Sequence, residues 1–161
     1  MEFGKEQIMA KIERKYLAHF VEVGEQYVRL GKELEEYSPE LSAQVEKTRN
    51  ILGHTAVNIT GYEKSGSVEP YFAESGDPLF EKLQAIIDGD LVLEDCKAAM
   101  VEVKLWDGQG TAYPAVREEC YLEVTSYGGD TKGYQIPFTV HYTGVKEQGT
   151  FDIQSKTFTK G

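Results

Sequence analysis

The stretch ECYLEVTSYGGDTKGYQIPFTVHY, residues 119–142, shows the pattern that sets the fold class. On both sides of its glycine-rich centre, in 119–125 and in 136–142, apolar residues alternate with polar ones. The same alternation appears upstream in VEVKLW, residues 101–106, and downstream in GTFDI and KTFTK, which flank a closing turn. A period of two is typical of antiparallel strands with one buried face. These patterns predict about seven to nine strands along the chain.

The glycine-rich centre, SYGGDTKG at 126–133, raises the question of a phosphate-binding loop. Such a loop needs the pattern G-x-x-x-x-G-K-[ST], leading from a strand into a helix. Here the lysine precedes the last glycine and a strand follows, so the pattern does not fit. We expect Gly128, Gly129 and Asp130 to supply the positive φ angles of a hairpin connection. Pro137 cannot donate to a ladder and therefore marks an edge or a bulge.

One helix is predicted, in SGDPLFEKLQAIIDGD, residues 75–90. Asp77 is a good N-cap, Pro78 suits the first helical position, and Gly89 is expected to stop the helix. Apolar residues at spacings of three and four form one stripe, made of Leu79, Phe80, Leu83, Ile86 and Ile87. The stripe must pack on something, most simply a sheet. The sequence therefore predicts a mainly β protein with one flanking α-helix, built as an antiparallel β-sandwich or rolled barrel.

The chain divides into an arm and one domain. Residues 1–15 are charged and only weakly periodic, which indicates an N-terminal arm or a short helix outside the core. From Tyr16 onward, β-branched and aromatic residues form a short hairpin around Gly24. A length of 161 residues suits one domain with a substantial core, which we place at 16–161.

Composition excludes several functional classes. The formal net charge is −10, from 27 acidic and 17 basic residues, and so acidic a surface repels nucleic acid rather than gripping it. The chain has two cysteines, which favours reduced thiols in a cytosolic product over a disulfide framework. Cys120 lies within an apolar alternation and is expected in the core. No apolar run approaches the ~18 residues of a membrane span.

No motif indicates catalysis or a metal site. His19, His54 and His141 are far apart in the sequence, and none lies at a metal-ligand spacing. There is no G-x-S-x-G elbow and no Cys-x-x-Cys pair. Acidic residues are so numerous that nominating an acid–base pair means nothing without geometry. We therefore predict no catalytic, metal or cofactor-binding residues, no cofactor and no enzymatic activity.

The segments LSAQVEK, 41–47, and TAVNITGY, 55–62, are predicted to form the two strands of a hairpin. Its tip, TRNILGH, carries Ile51 and Leu52, and two aliphatic residues in an exposed tip are unusual for a monomer. Two explanations stay open at this point: the pair packs back under the hairpin, or it inserts into a partner. The preceding segment GKELEEYSPEL, 31–41, is acidic and is predicted to be a solvated loop.

Four segments together carry a resemblance to a known family. They are GKELEEYSPEL with VEKTRNILG, then ITGYEKSGSVEPYFAESGDPLFEKLQ, then SYGGDTKGYQIPFTVHYTG, and finally GTFDIQSKTFT. In order and spacing, from Tyr16 to Gly161, they closely resemble the tail tube (major tail) proteins of bacteriophages of Gram-positive hosts. The first ~15 residues lie outside the resemblance.

The resemblance implies a structural subunit. In that family six copies form a ring, rings stack into a hollow tube that conducts DNA or other cargo, and a β-hairpin from each copy builds the inner barrel. On this chain the resemblance implies that the hairpin is 41–60, with residues 1–15 and ELEEYSPEL, 33–41, as candidates for contact with the next ring. The implied assembly residues are Tyr37, Pro39, Leu41, Val45, Arg49, Ile51 and Leu52. The candidate lumen carboxylates, which would let DNA slide without sticking, are Glu33, Glu35, Glu36, Glu40 and Glu46.

The resemblance also implies partners and a location. The partners are further copies of the chain in hexameric rings, the tail initiator or baseplate, the tape measure and the terminator. DNA passes without specific binding, and no membrane is involved. The location is a virion tail assembled in the cytoplasm of the bacterial host. An infectious phage and a tailocin-like particle both stay open, as does a surrounding sheath protein.

A second function class is a monomeric β-sandwich binding module on a virion surface, for example for carbohydrate. Such a module needs exposed aromatic side chains on one face. Ten tyrosines leave room for this, although Trp106 is the single tryptophan.

Overall fold

A curled antiparallel sheet carries the fold in the computed structural model, which describes residues 9–108 and 110–161. The strands are β1 (Leu17–Val23), β2 (Gln26–Arg29), β3 (Ala43–Arg49), β4 (Thr55–Tyr62), β5 (Ser65–Val68), β6 (Lys97–Lys104), β7 (Ala112–Val124), β8 (Gly128–Asp130), β9 (Gly133–Gln135), β10 (Phe138–Asp152) and β11 (Thr157–Lys160). The main sheet has seven strands: six follow the order β11-β10-β7-β6-β1-β2, and β5 also pairs with β10. Two separate hairpins are formed by β3–β4 and β8–β9. The helix α1 spans Pro78–Gly89.

The sheet rolls up around its two longest strands, β7 and β10. Their pairing is irregular between Tyr142 and Lys146, where Gly144 adopts a φ of 90°. Such a bulge bends a strand and increases its twist. As a result Phe20 of β1 meets Phe151 of β10, with ring centroids 4.5 Å apart, although two strands lie between them in the sheet. The predicted mainly β fold with one flanking helix is confirmed, in its rolled form.

The central strands are buried on both faces, whereas the sequence pattern predicted strands with one buried face. In β1, Phe20 faces the inside of the roll while Val21 faces α1. In β6, Val101 faces the inside of the roll and Met100 faces α1. The reason is that the curl encloses one face while the helix covers the other. The strand count of about seven to nine was also too low, because three or four residues are enough for short strands such as β8.

The helix begins as predicted and ends one residue later. The Asp77 carboxylate accepts a hydrogen bond from Leu79 N at 2.9 Å, and Pro78 occupies the first turn. The left-handed residue after the helix is Asp90, with φ 50° and ψ 46°, while Gly89 is still helical. Aspartate tolerates this conformation better than most residues, so no glycine is needed there. Of the predicted stripe, Leu79 is among the residues buried completely.

The glycine-rich centre forms the β8–β9 hairpin, so its prediction as a turn is confirmed. The positive φ angles belong to Gly128, Gly129 and Gly133, and Asp130 was wrongly included. Its side chain instead accepts a hydrogen bond from Lys132 N at 2.9 Å, which closes the turn locally. Pro137 lies in the break between β9 and β10.

The two cysteines should differ in thiol reactivity in the folded protein. Cys120 is fully buried, and burial raises the pKa of its thiol to about 12, whereas Cys96 is half-buried. Because the thiolate is the reactive form, iodoacetamide at about pH 8 should modify Cys96 in the folded protein and spare Cys120. In urea both should react. Mass spectrometry of the digested protein measures this, and equal labelling of Cys120 before and after unfolding would contradict its burial.

Candidate assembly surface

The β3–β4 hairpin lies outside the main sheet and is uncovered on both faces. The residues from 41 to 60 are all exposed, and β3 and β4 pair only with each other. The strands reach from Ala43 to Tyr62, close to the predicted 41–60. At roughly 3.4 Å per residue the hairpin extends roughly 25 Å. An isolated two-stranded hairpin is marginally stable in water, so this one needs a covering surface.

The two faces of the hairpin differ in chemistry. Val45 pairs directly with Ile59, and Val57 lies on the same face two residues away. Their side chains are between 53% and 58% exposed, which leaves an apolar strip in water. The cations of Lys47 and Arg49 share this face. The opposite face carries only polar or small residues, namely Glu46, Thr48, Ala56 and Asn58.

The tip is a closed turn rather than a loose loop. The side-chain oxygen of Asn50 accepts hydrogen bonds from Leu52 N at 2.9 Å and from His54 N at 3.0 Å. Gly53 donates to Asn50 O and adopts a φ of 85°. Ile51 and Leu52 occupy the two central positions, with exposed fractions of 102% and 74%. Within the subunit the aliphatic pair does not pack back under the hairpin, so the first of the two open explanations is wrong.

The base of the hairpin is fixed to the sheet by a buried ion pair. Lys64, two residues after β4, donates to the Glu118 carboxylate at 3.1 Å, with side chains 19% and 5% exposed. Gly144 N, in the β10 bulge, donates to the other oxygen of Glu118 at 3.0 Å. The Lys64 ammonium also lies 4.5 Å from the ring centroid of Tyr142. A carboxylate this buried requires such partners.

Tyr37 was predicted to be an assembly residue, but its side chain lies inside the subunit. It is 4% exposed, its hydroxyl shares a 2.5 Å hydrogen bond with the Tyr142 hydroxyl, and it packs edge-on to His19. Burial raises the pKa of Tyr37 and of Tyr142 well above the usual range. Tyr37 therefore attaches the 31–41 loop to the sheet.

His19 and Glu102 form a second polar pair beside this cluster, 3.0 Å apart. The hydrogen bond from His19 holds the pKa of Glu102 below its usual range. A lowered carboxyl pKa stabilises the fold above the pKa of the unfolded state, and this contribution is lost as the pH falls through the folded value.

The remaining nominated residues fall into two groups. Pro39 is half-buried and Leu41 is 53% exposed, both where the loop enters the hairpin. Of the nominated carboxylates, Glu46 lies on the polar face of the hairpin, and four lie in the loop, namely Glu33, Glu35, Glu36 and Glu40. All five side chains are exposed.

Sequence reasoning missed three residues of this surface. Val57 and Ile59 complete the apolar face, and their alternation with Asn58 in TAVNITGY is the signal that could have identified them. Asn50 shapes the tip, and the spacing of Asn50 and Gly53 around the aliphatic pair is a turn signal. Strand pairing was needed to show that Val45, Val57 and Ile59 share one face.

Solved structures share this fold. The sheath/tube terminator of an extracellular contractile injection system, PVC, in the extended state is similar with a TM-score of 0.55, over 88% of this chain and 99% of that chain, at 10% identity. The tube terminating cap of the anti-feeding prophage, AFP, also gives 0.55, over 93% and 99%, at 11% identity. A chain of the PVC sheath–tube complex gives 0.54, over 91% and 98%, at 11% identity.

The fold is that of contractile injection system components. Identity this low shows the fold alone. No family model and no curated protein matches the sequence. Within residues 9–108 and 110–161, no helix is long and apolar enough to cross a membrane. The same residues contain no group of three or more His, Cys, Asp or Glu side chains arranged to hold a metal ion.

Proposed function

We propose that the chain is a non-enzymatic tail tube subunit of a phage or phage-like particle of a Gram-positive host. Six copies form a ring, and stacked rings enclose a channel for DNA or other cargo. The observation that carries the proposal is the β3–β4 hairpin, which is apolar on one face, polar on the other and uncovered on both. Hairpins of neighbouring copies, paired edge to edge, cover the unpaired backbone groups that an isolated hairpin exposes.

The chemistry of the two faces supports one orientation of the hairpin in the ring. The strip of Val45, Val57 and Ile59 turns outward against the body of a neighbouring copy, because burying apolar surface stabilises the assembly. The polar face with Glu46 and Asn58 then lines the channel. A carboxylate there repels DNA phosphates, so cargo moves without binding.

The partners follow from this role. The tube starts on an initiator or baseplate, takes its length from a tape measure and ends at a terminator, with or without a sheath around it. Assembly takes place in the host cytoplasm, and the subunit ends up in the particle tail. The domain at 16–161 supplies the ring, and residues 9–15, together with residues 1–8 outside the described part, supply an arm toward the next ring.

Negative-stain electron microscopy of the purified protein over a concentration series tests the proposal. We expect rings with a central channel at low concentration and tubes of variable length at high concentration. A chain that stays monomeric even when the tail initiator is added would overturn the tube role. In that case a virion-surface binding module would be favoured, and glycan binding should then depend on exposed aromatic residues such as Trp106 and Tyr127.

A terminator is the second candidate, favoured by the similarity in fold to the PVC sheath/tube terminator and the AFP tube terminating cap. A terminator caps a tube and does not continue it. Single rings that never stack, but that bind one end of a tube made by another protein, would support this candidate over the tube subunit.

The channel charge gives a separate prediction. Changing Glu46 and the loop residues Glu33 and Glu40 to Lys should leave tube formation intact. The same change should reduce DNA delivery by at least tenfold, because each new cation can bind phosphate. Delivery is measured as infectivity or as DNA transfer by the assembled particle. A matched variant that changes the same residues to Gln separates loss of negative charge from gain of positive charge. Unchanged delivery in the Lys variant would remove the electrostatic argument.

A further inference from the structure

A groove at the start of β1 carries positive charge in an otherwise acidic protein. It measures about 530 Å³ and has a floor formed by Leu17, Leu30 and Leu34. Its cationic side chains are Arg14, Lys15, Arg29 and Lys32, and its two carboxylates are those of Glu35 and Glu36. Lys32 already donates to Glu74 at 2.8 Å and Lys15 lies 3.7 Å from Glu13, so the two arginines carry the free positive charge.

The arginines of this groove lack a carboxylate partner within the described part of the chain. Arg14 donates to the backbone oxygens of Leu17 at 2.6 Å and Tyr37 at 3.0 Å, and Arg29 donates only to Lys15 O at 3.4 Å. In a protein with ten more acidic than basic residues, cations left beside apolar surface indicate a partner with the opposite charge.

The loop after α1 has the complementary chemistry. Val92 and Leu93 project into water, with exposed fractions of 63% and 79%. Leu93 adopts a φ of 57°, a conformation that is strained for a leucine and that the rest of the loop must hold in place. Exposed carboxylates flank the two aliphatic side chains, namely Asp88, Asp90, Glu94 and Asp95. Lys97 lies near only one of them, 3.9 Å from Glu94.

The groove and the loop lie at opposite ends of the same pair of strands. In the β1–β6 pairing Leu17 is opposite Lys104 and Glu22 is opposite Ala99. The groove is at the Leu17 end, and the loop enters β6 at the other end, roughly 20 Å away. One copy therefore cannot place its own loop in its own groove. Two complementary surfaces on opposite ends of a molecule produce a head-to-tail contact between copies.

We propose that the basic groove of one copy binds the acidic loop of the next, with Leu93 and Val92 on the leucine floor and the carboxylates against Arg14, Lys15 and Arg29. This contact rests on the self-assembly proposed above and names the surfaces that carry it. It adds a second interface to the hairpin, formed by the body of the subunit.

Charge reversal tests the contact. The groove variant is Lys15→Glu with Arg29→Glu, which spares Arg14 because its hydrogen bonds hold the 31–41 loop. The loop variant is Glu94→Lys with Asp95→Lys. Each should raise the concentration needed for assembly by at least about tenfold, because like charges then face each other. One chain carrying all four changes should assemble again, since the pairs are restored with reversed sign.

A matched variant, Lys132→Glu with Lys156→Glu, changes the charge by the same amount as the groove variant, at exposed turns outside both surfaces, and should assemble normally. Circular dichroism and the melting temperature establish that each variant is folded. Normal assembly of the groove and loop variants, or no recovery in the combined chain, would overturn this contact while leaving the tube role intact. Absence of rings and tubes from the unmodified protein would overturn both proposals.

Discussion

Changing Ile51 and Leu52 together to Asp will abolish tube growth without unfolding the subunit. Both side chains are at the tip of the β3–β4 hairpin and are largely exposed within their own chain, with exposed fractions of 102% and 74%. The fold therefore loses little packing. Assembly loses the burial of two aliphatic side chains per copy, about 3 to 6 kcal/mol, and gains two carboxylates that would have to be desolvated.

The expected magnitude is a rise of more than about 100-fold in the concentration that gives half-maximal assembly. Sedimentation velocity measures assembly, and circular dichroism with thermal unfolding measures the fold. A variant with the same charge change at another exposed turn, Gln154→Asp with Ser155→Asp between β10 and β11, should assemble normally. Tubes from the tip variant at normal concentration would show that the tip is not an interface.

The second large effect is expected from Lys64→Met at the base of the hairpin. This change leaves the Glu118 carboxylate, with 5% of its side chain exposed, without a cation. Removing one partner of a buried ion pair costs about 3 kcal/mol or more, so the free energy of unfolding should fall by about that amount. For a chain of this size the melting temperature should fall by about 10 °C.

A double-mutant cycle separates the ion pair from the packing of the lysine chain. Adding Glu118→Gln to Lys64→Met removes the uncompensated charge and keeps an oxygen for Gly144 N, so more than half of the lost stability should return. Lys97→Met is the matched control, because the contact between Lys97 and Glu119, 3.3 Å apart, is more exposed and should contribute at most about 1 kcal/mol. Equal losses from Lys64→Met and Lys97→Met would contradict the importance of the buried pair.

The candidate surface was predictable in part. The tip was identified because Ile51 and Leu52 interrupt a polar turn, which is a local signal. Tyr37 was assigned to assembly by the family resemblance, yet its side chain reaches Tyr142, 105 positions along the chain. A loop pattern carries no information about which strand its one aromatic residue will meet.

Local pattern alone determined the type and approximate limits of the elements. Alternation over residues 119–142 required strands, because side chains on a strand point to opposite faces in turn. Asp77 and Pro78 start the helix, because the Asp77 side chain accepts a hydrogen bond from a free backbone N–H of the first turn and Pro78 has no N–H that needs a partner there. These features depend on neighbours within a few residues, which is the range over which a sequence pattern is informative.

Tertiary structure decided which side chains share a surface. Phe20 meets Phe151 because the sheet curls, Lys64 meets Glu118 across 54 positions, and the apolar strip of the hairpin exists because register places Val45 opposite Ile59. Curl, bulge and register result from packing the whole sheet at once. No short segment encodes them, since each depends on contacts between strands far apart in the chain.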